Sequence, residues 1–450
     1  MQLLCITDQV YCTILFMPFY ETNARVSKDP IMGLIQMAAQ DSSKEKLTAI
    51  VGSAAADNGD LLIPESVLEA AREVHNKVDM AYASSFGLAG LPELMSEEIL
   101  GADIAKALKE SGISRAELVT SGGTNAIATA LLACTSKEDQ IITHSPHWAG
   151  YDSITLAIER KPLINFDILD AEGNFNLVAF ETTIKNLIAF KDDAKIILVM
   201  NTPFDNPLGK DFGVAAWNEI GEILSKYNDR EILIILDTAY LDFGPEGKDY
   251  CRLSFIPNLF KKIDSSNFKL VIAGTVSKSF AMYGARVGVA TLLSSDQETV
   301  SQWRDTAGGC IRGTFSNASR PGQAITQLVL QDTKKLANVH EWQKTTSHLM
   351  NKRRDFFIEA MQGRLTEEFK LIRPDSGFFI SLMINDNKYQ NSTFAQVFYK
   401  ELLASQLYAP LISDQFLRIP TCGLSETKLE QVADRIVQVA KRMRGIKEKA

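Results

Sequence analysis

Two basic residues eight positions apart, Lys278 and Arg286, stand in the stretch TVSKSFAMYGARVG (residues 275–288), among small hydroxyl and glycine positions and few bulky groups. A lysine amine can carry a proton or join a carbonyl carbon if burial or a neighbouring cation keeps it partly neutral. An arginine offers a two-pronged fork that fits an anion such as phosphate. The same composition also suits an ordinary surface segment, so the pair takes its meaning from the rest of the chain. Four other stretches hold chemistry-bearing types. SGGTNAIATAL (121–131) puts Gly122, Gly123 and Thr124 where a turn opens a helix, a natural phosphate cradle and equally a plain connection. It is neither a P-loop nor GxGxxG. SPHWAG (145–150) carries Trp148, whose indole can stack on a planar ring or pack at a rim. NTPFDNPLG (201–209) holds Asn206 before Pro207, first of all a turn signal. LDTAY (236–240) supplies Asp237 and Tyr240; an acid at a strand end can hold Mg²⁺ as readily as anything else.

These stretches share one position: each follows an apolar run. AELVTS (116–121), QIITHS (140–145), AKIILVMN (194–201), ILIILD (232–237) and KLVIAGT (269–275) read as strands, with helical patterns such as NAIATALLAC and VAAWNEIGEILSKY between them. Near-continuous apolar strands alternating with helices predict a mostly parallel sheet covered on both faces. Ligands of such sheets sit beyond the carboxyl ends of the strands, where these residues fall.

Composition limits the alternatives. The 450 residues are 46 % hydrophobic and 23 % charged, enough for a two-domain α/β protein. A net charge of −8 leaves no basic surplus for neutralising nucleic-acid phosphates. The six cysteines (5, 12, 134, 251, 310, 422) form no CxxC, and the five histidines form no HExxH, so neither a metal site nor a disulfide framework is expected. The apolar opening MQLLCITDQVYCTILFMPFY lacks a basic start and a cleavage site, and Asp8 and Pro18 interrupt it; no membrane span is expected, and a cytoplasmic location is.

The order GGT, W, NPxG, DxAY, then SK followed by RxG resembles the fold-type-I pyridoxal-phosphate aminotransferases, most of all the class I branch of aspartate and aromatic transaminases. The likeness extends through DPIMGLIQMA (29–38), GLPEL (90–94), IRGTFSN (311–317) and FLRIP (416–420). It implies a large domain (65–339) with a mostly parallel seven-stranded sheet. A smaller α/β domain would be built from both chain ends (25–64 and 340–450), after an N-terminal arm (1–24). By the resemblance, Lys278 would bond to the aldehyde of pyridoxal 5′-phosphate and then move the substrate's α-proton. Asp237 would face the ring nitrogen, Tyr240 and Asn206 the phenolic oxygen, and Trp148 the ring face. Arg286 would hold the phosphate with Gly122, Gly123, Thr124, Thr275 and Ser277.

The resemblance also implies a substrate side, with Arg418 for the α-carboxylate, Gly52 for close backbone approach, and Trp148 and Asn206 nearby. Arg312 would reach a distal carboxylate in the neighbouring subunit of a homodimer. The expected activity is ping-pong transfer of an amino group between an L-amino acid, aspartate or aromatic, and 2-oxoglutarate. A β-lyase or decarboxylase on the same fold, or a regulatory protein without catalysis, are the alternatives. The sequence departs from the pattern at Ser85, where relatives carry a tyrosine that Tyr82 could replace, at Leu208 in NPLG, and at Ala285 in YGAR.

Overall fold

The computed structural model describes residues 30–74, 80–264, 266–365, 369–384 and 393–447; the expected arm, 1–24, lies outside the described residues. Seven strands make the principal sheet: β1 (Ser114–Thr120), β2 (Ile142–Ser145), β3 (Ile164–Asp167), β4 (Ile196–Asn201), β5 (Ile232–Asp237), β6 (Phe268–Thr275) and β7 (Gly288–Ser294). Their order is β1-β7-β6-β5-β4-β2-β3, with β7 antiparallel to both neighbours and every other pair parallel. Two-sided burial follows from the strand period. Ile196, Leu198 and Met200 of β4, with Ile232, Ile234 and Leu236 of β5, enter one apolar cluster with Trp217, Phe180 and Phe255. The alternate residues Ile197, Val199, Leu233 and Ile235 enter another with Ile127, Trp303 and Ile311. Each fully buried aliphatic side chain contributes about 1.5–3 kcal/mol, so both faces demand a helical cover.

The five strands read from the sequence are present, and the mostly parallel α/β arrangement with them. Two strands escaped the pattern. β3 is short, with Asn165 and Asp167 exposed, and so lacks a continuous apolar run. β7 begins inside the RxG motif and runs antiparallel, between β1 and β6.

A second, antiparallel sheet follows in the chain: β8 (Phe369–Ile372), β9 (Phe379–Ile384), β10 (Leu411–Ile412) and β11 (Phe416–Pro420), in the order β10-β11-β9-β8. Helices Thr393–Ala404 and Glu426–Lys447 cover it through Phe398, Leu402, Leu429 and Ile436. Leu47–Thr48 pairs in parallel with Leu407–Tyr408, tying an early segment to this late layer. The 29-residue helix Thr333–Met361, started by the Asp332 side chain accepting the N–H groups of Lys334 and Lys335, joins the layers. Val339 packs into the cluster that holds Phe280 and Val289, whereas Phe357 and Met361 pack under the second sheet.

Candidate active site

Register aligns the strand ends. Asn201 pairs with Asp237, and Gly288 is the partner of both Thr120 and Thr275, so the chemistry-bearing residues share one rim. Above that rim lies a cavity of ≈ 370 Å³. It is lined by Gly123, Thr124, Trp148, Asn206, Asp237 and Tyr240 from the connections after the strands. Thr275, Ser277, Lys278 and Arg286 join them, with Gly52 and Arg418 from the side of the second sheet.

The segment that opened the sequence reading is compactly folded. Thr275 Oγ1 accepts the Ser277 N–H at 3.1 Å and so starts a one-turn helix, Val276–Ser279, that lifts Lys278 off the sheet. Lys278 Nζ donates to the Gly52 carbonyl at 2.5 Å and lies 4.8 Å from the centre of the Tyr283 ring. Burial, with Arg418 and Arg286 nearby and against the Cys422 thiol, pushes its pKa down to about 8. An amine near neutrality is what a proton carrier or nucleophile requires.

At one end of the cavity the residues form an anion cradle. Arg286 adopts φ +54°, a left-handed backbone that side chains rarely take, and this aims its Nη1 at Ser277 Oγ (3.2 Å) and the Tyr283 carbonyl (3.1 Å). Ser277 Oγ is also 3.0 Å from Thr275 Oγ1. Opposite is the first turn of helix Gly122–Cys134, where Gly122 has φ +79° and a methyl group in its place would lie 2.6 Å from Arg286 Nη2. The free N–H groups of a helix start, an arginine fork and two hydroxyls are a donor set for a phosphate group. Sequence spacing read the two glycines as a turn before the helix; they are its first turn.

The other end is built on Asp237. Its Oδ2 accepts the Tyr151 O–H at 2.9 Å and its Oδ1 the Ala239 N–H at 3.2 Å. Burial pushes its pKa up to about 6 against those two bonds, so the carboxylate is ionised at neutral pH. Tyr240 meets the rings of Phe378 and Phe379 edge-on, and burial raises its phenol as well. Trp148 stands edge-on to Tyr151 at 5.6 Å. A cradle for phosphate, an acid, an indole and a lysine of lowered pKa around one cavity fit pyridoxal phosphate group by group.

Arg418 is a buried residue inside β11. Its Nη1 donates to Asn206 Oδ1 at 3.0 Å and its Nη2 to the Ile50 carbonyl at 2.6 Å, and its guanidinium lies 4.4 Å over the Phe379 ring. Gly52 is required beside that ring, since a methyl group there would come within 2.5 Å of it. Arg312 is elsewhere: exposed in the last turn of helix Gln297–Thr314, bonded to Ser316 and not lining this cavity.

The sequence reading missed several neighbours. Tyr151 stands three residues beyond Trp148, a helical spacing that could have flagged it. Tyr283 lies between Lys278 and Arg286, in the very stretch singled out. Asn201 ends β4, and its Nδ2 donates to the Asp237 carbonyl while its Oδ1 accepts the Asn206 N–H. Ile31 and Ile35, inside the DPIMGLIQMA stretch (29–38), and Val51 add an apolar lining to which the sequence reading gave no role.

The sequence model of the aminotransferases class I and II matches residues 51–436. The chain belongs to this family. This transaminase is 24 % identical over 423 residues to the mitochondrial aspartate aminotransferase of Dictyostelium discoideum, covering 92 % of this chain and 91 % of that one. Among solved structures, an aminotransferase from Anaerococcus prevotii matches with a TM-score of 0.77 at 22 % identity, covering 94 % of this aminotransferase and 99 % of its own chain. An aromatic-amino-acid aminotransferase from Burkholderia pseudomallei, solved covalently bound to pyridoxal phosphate, matches with a TM-score of 0.71 at 20 % identity over 94 % and 99 % of the chains. At these identities the two structures establish the α/β fold.

Proposed function

We propose that this aminotransferase uses pyridoxal 5′-phosphate to move an amino group between an L-amino acid, aspartate or aromatic, and 2-oxoglutarate in two alternating half-reactions. The observation that carries the reading is Lys278: an amine with its pKa near 8, facing a cavity between an anion cradle and a buried carboxylate. Bound there, the cofactor supplies a carbonyl carbon that exchanges amines and a ring that draws electrons from the substrate's α-carbon. Lys278 holds the cofactor between turnovers and carries the α-proton. Asp237 keeps a proton at the ring nitrogen, and Tyr240 and Asn206 face the phenolic oxygen. Trp148 covers the ring. Arg286, Ser277, Thr275 and the Gly122–Thr124 turn hold the phosphate, and Arg418 pairs with the substrate's α-carboxylate.

The same reading takes residues 65–339 as the cofactor domain and 25–64 with 340–450 as the smaller one. It places Arg312 in the active site of a second subunit, which its exposed position supports. Tyr82, 89 % exposed, is the side chain available to replace the tyrosine missing at Ser85. The cysteines, scattered with no CxxC spacing, support a cytoplasmic location. The test is an absorbance titration of the cofactor-loaded protein with aspartate, glutamate, tyrosine and phenylalanine. The band of the bound cofactor should bleach with the preferred donor and return with 2-oxoglutarate; no change with any of the four would sink the reading.

A further inference from the structure

The substrate side of the cavity is lined by the first residues of a strap, 50–55, whose backbone is held from several elements. The Ile50 carbonyl accepts from Arg418 and the Gly52 carbonyl from Lys278, and the Ala54 N–H donates to the Tyr283 hydroxyl at 2.9 Å. The Ala55 N–H donates to the Cys422 carbonyl at 3.0 Å, joining the strap to the turn Thr421–Gly423 that follows β11. Beneath this junction is Arg353, from the long helix Thr333–Met361, only 1 % exposed. Its Nη1 donates to both the Ala55 carbonyl (2.8 Å) and the Cys422 carbonyl (3.0 Å), and its Nη2 to Asp57 Oδ1 (2.7 Å).

A buried guanidinium whose carboxylate partner is 77 % exposed loses hydration that a single rim contact does not restore. An apolar side chain would fill the same space without that loss, so core filling does not account for the residue. What only the guanidinium does is bridge two carbonyls on two separate segments, one carrying Gly52 and the other continuous with the strand of Arg418. Its helix is the element that packs on both layers.

We infer that Arg353 is a positioning residue for substrate: it fixes the strap to the β11 turn, and so sets the distance between the Arg418 fork and the Gly52 backbone. This rests on the proposed role of Arg418. Arg353 bonds to Ala55, Cys422 and Asp57 and to no residue of the anion cradle, nor to Asp237 or Lys278, so its loss should act first on the amino acid and not on the cofactor.

The test compares wild type, Arg353→Met and Arg353→Lys, each loaded with pyridoxal phosphate and titrated with whichever of aspartate, glutamate, tyrosine or phenylalanine bleaches the wild type most. Arg353→Met should raise the half-saturating amino-acid concentration roughly 10–100-fold, the range for one hydrogen bond to a charged group. Half-saturation by the cofactor and its absorbance band should stay put. Arg353→Lys, able to reach one carbonyl, should recover part of the loss, and it carries the test alone if the methionine variant does not fold. Unchanged amino-acid saturation in the variants, or parallel losses of cofactor and amino acid, would overturn the inference while leaving the proposed function intact. A wild type that never responds overturns both.

Discussion

The floor and the roof of the cavity are built in different ways. The floor (Asp237, Thr275, Ser277, Lys278, Arg286 and the Gly122 turn) hangs from the ends of adjacent strands, so each residue is placed by a ladder a few positions away. The roof (Gly52, Arg418 and the strap) joins segments more than 350 residues apart, through the short pairing of Leu47–Thr48 with Leu407–Tyr408 and hydrogen bonds such as Arg418 to the Ile50 carbonyl. A site can thus hold its cofactor on rigid, local structure and its substrate on a long-range junction.

The largest expected effect is on the floor. Lys278→Ala should lower transamination by at least ~10²–10⁴-fold, the usual range for a removed acid–base group, and abolish borohydride trapping of pyridoxal phosphate. In the wild type, the joining of added pyridoxal phosphate to the cofactor-free protein should quicken as pH climbs through about 8, because the free amine loses its proton there. Trapping at an unchanged level in Lys278→Ala would mean another lysine holds the cofactor. On the roof, Arg418→Ala should raise the half-saturating donor concentration roughly 10–100-fold with cofactor affinity unchanged. Equal loss of both would erase the distinction between the two regions.

Gly122→Ala should do the reverse. It forces a side chain into a left-handed backbone at a cost of about 1–2 kcal/mol and pushes on Arg286, so the cofactor's half-saturation should rise about tenfold while donor saturation holds. The smallest effect belongs to Tyr151→Phe. Loss of its O–H raises the Asp237 pKa further above 6, and the protonated acid cannot hold the ring nitrogen's charge. The acid limb of the pH–rate profile should therefore move upward, with little change above pH 8. An unmoved acid limb would assign that limb to another group.

Much of the floor could be read without coordinates, because strand-end residues inherit their place from the apolar run before them. Asp237 at the end of ILIILD and Lys278 after KLVIAGT are both of this kind. The carboxylate's second donor could not, since Tyr151 reaches Asp237 across 86 positions through the packing of helix Gly150–Ala157. Strand β7 was hidden because its start serves as the end of the arginine motif.

The sequence by itself determined the α/β alternation, the shared rim of the strand ends and the residue types waiting there, since period and turn chemistry are local properties of a chain. Only the tertiary structure decided that Arg418 is buried against Phe379, that Arg312 does not line its own cavity, and that Arg353 bridges Ala55 and Cys422. Those facts depend on which distant segments meet, and burial, pKa and hydrogen-bond partners exist only once they have.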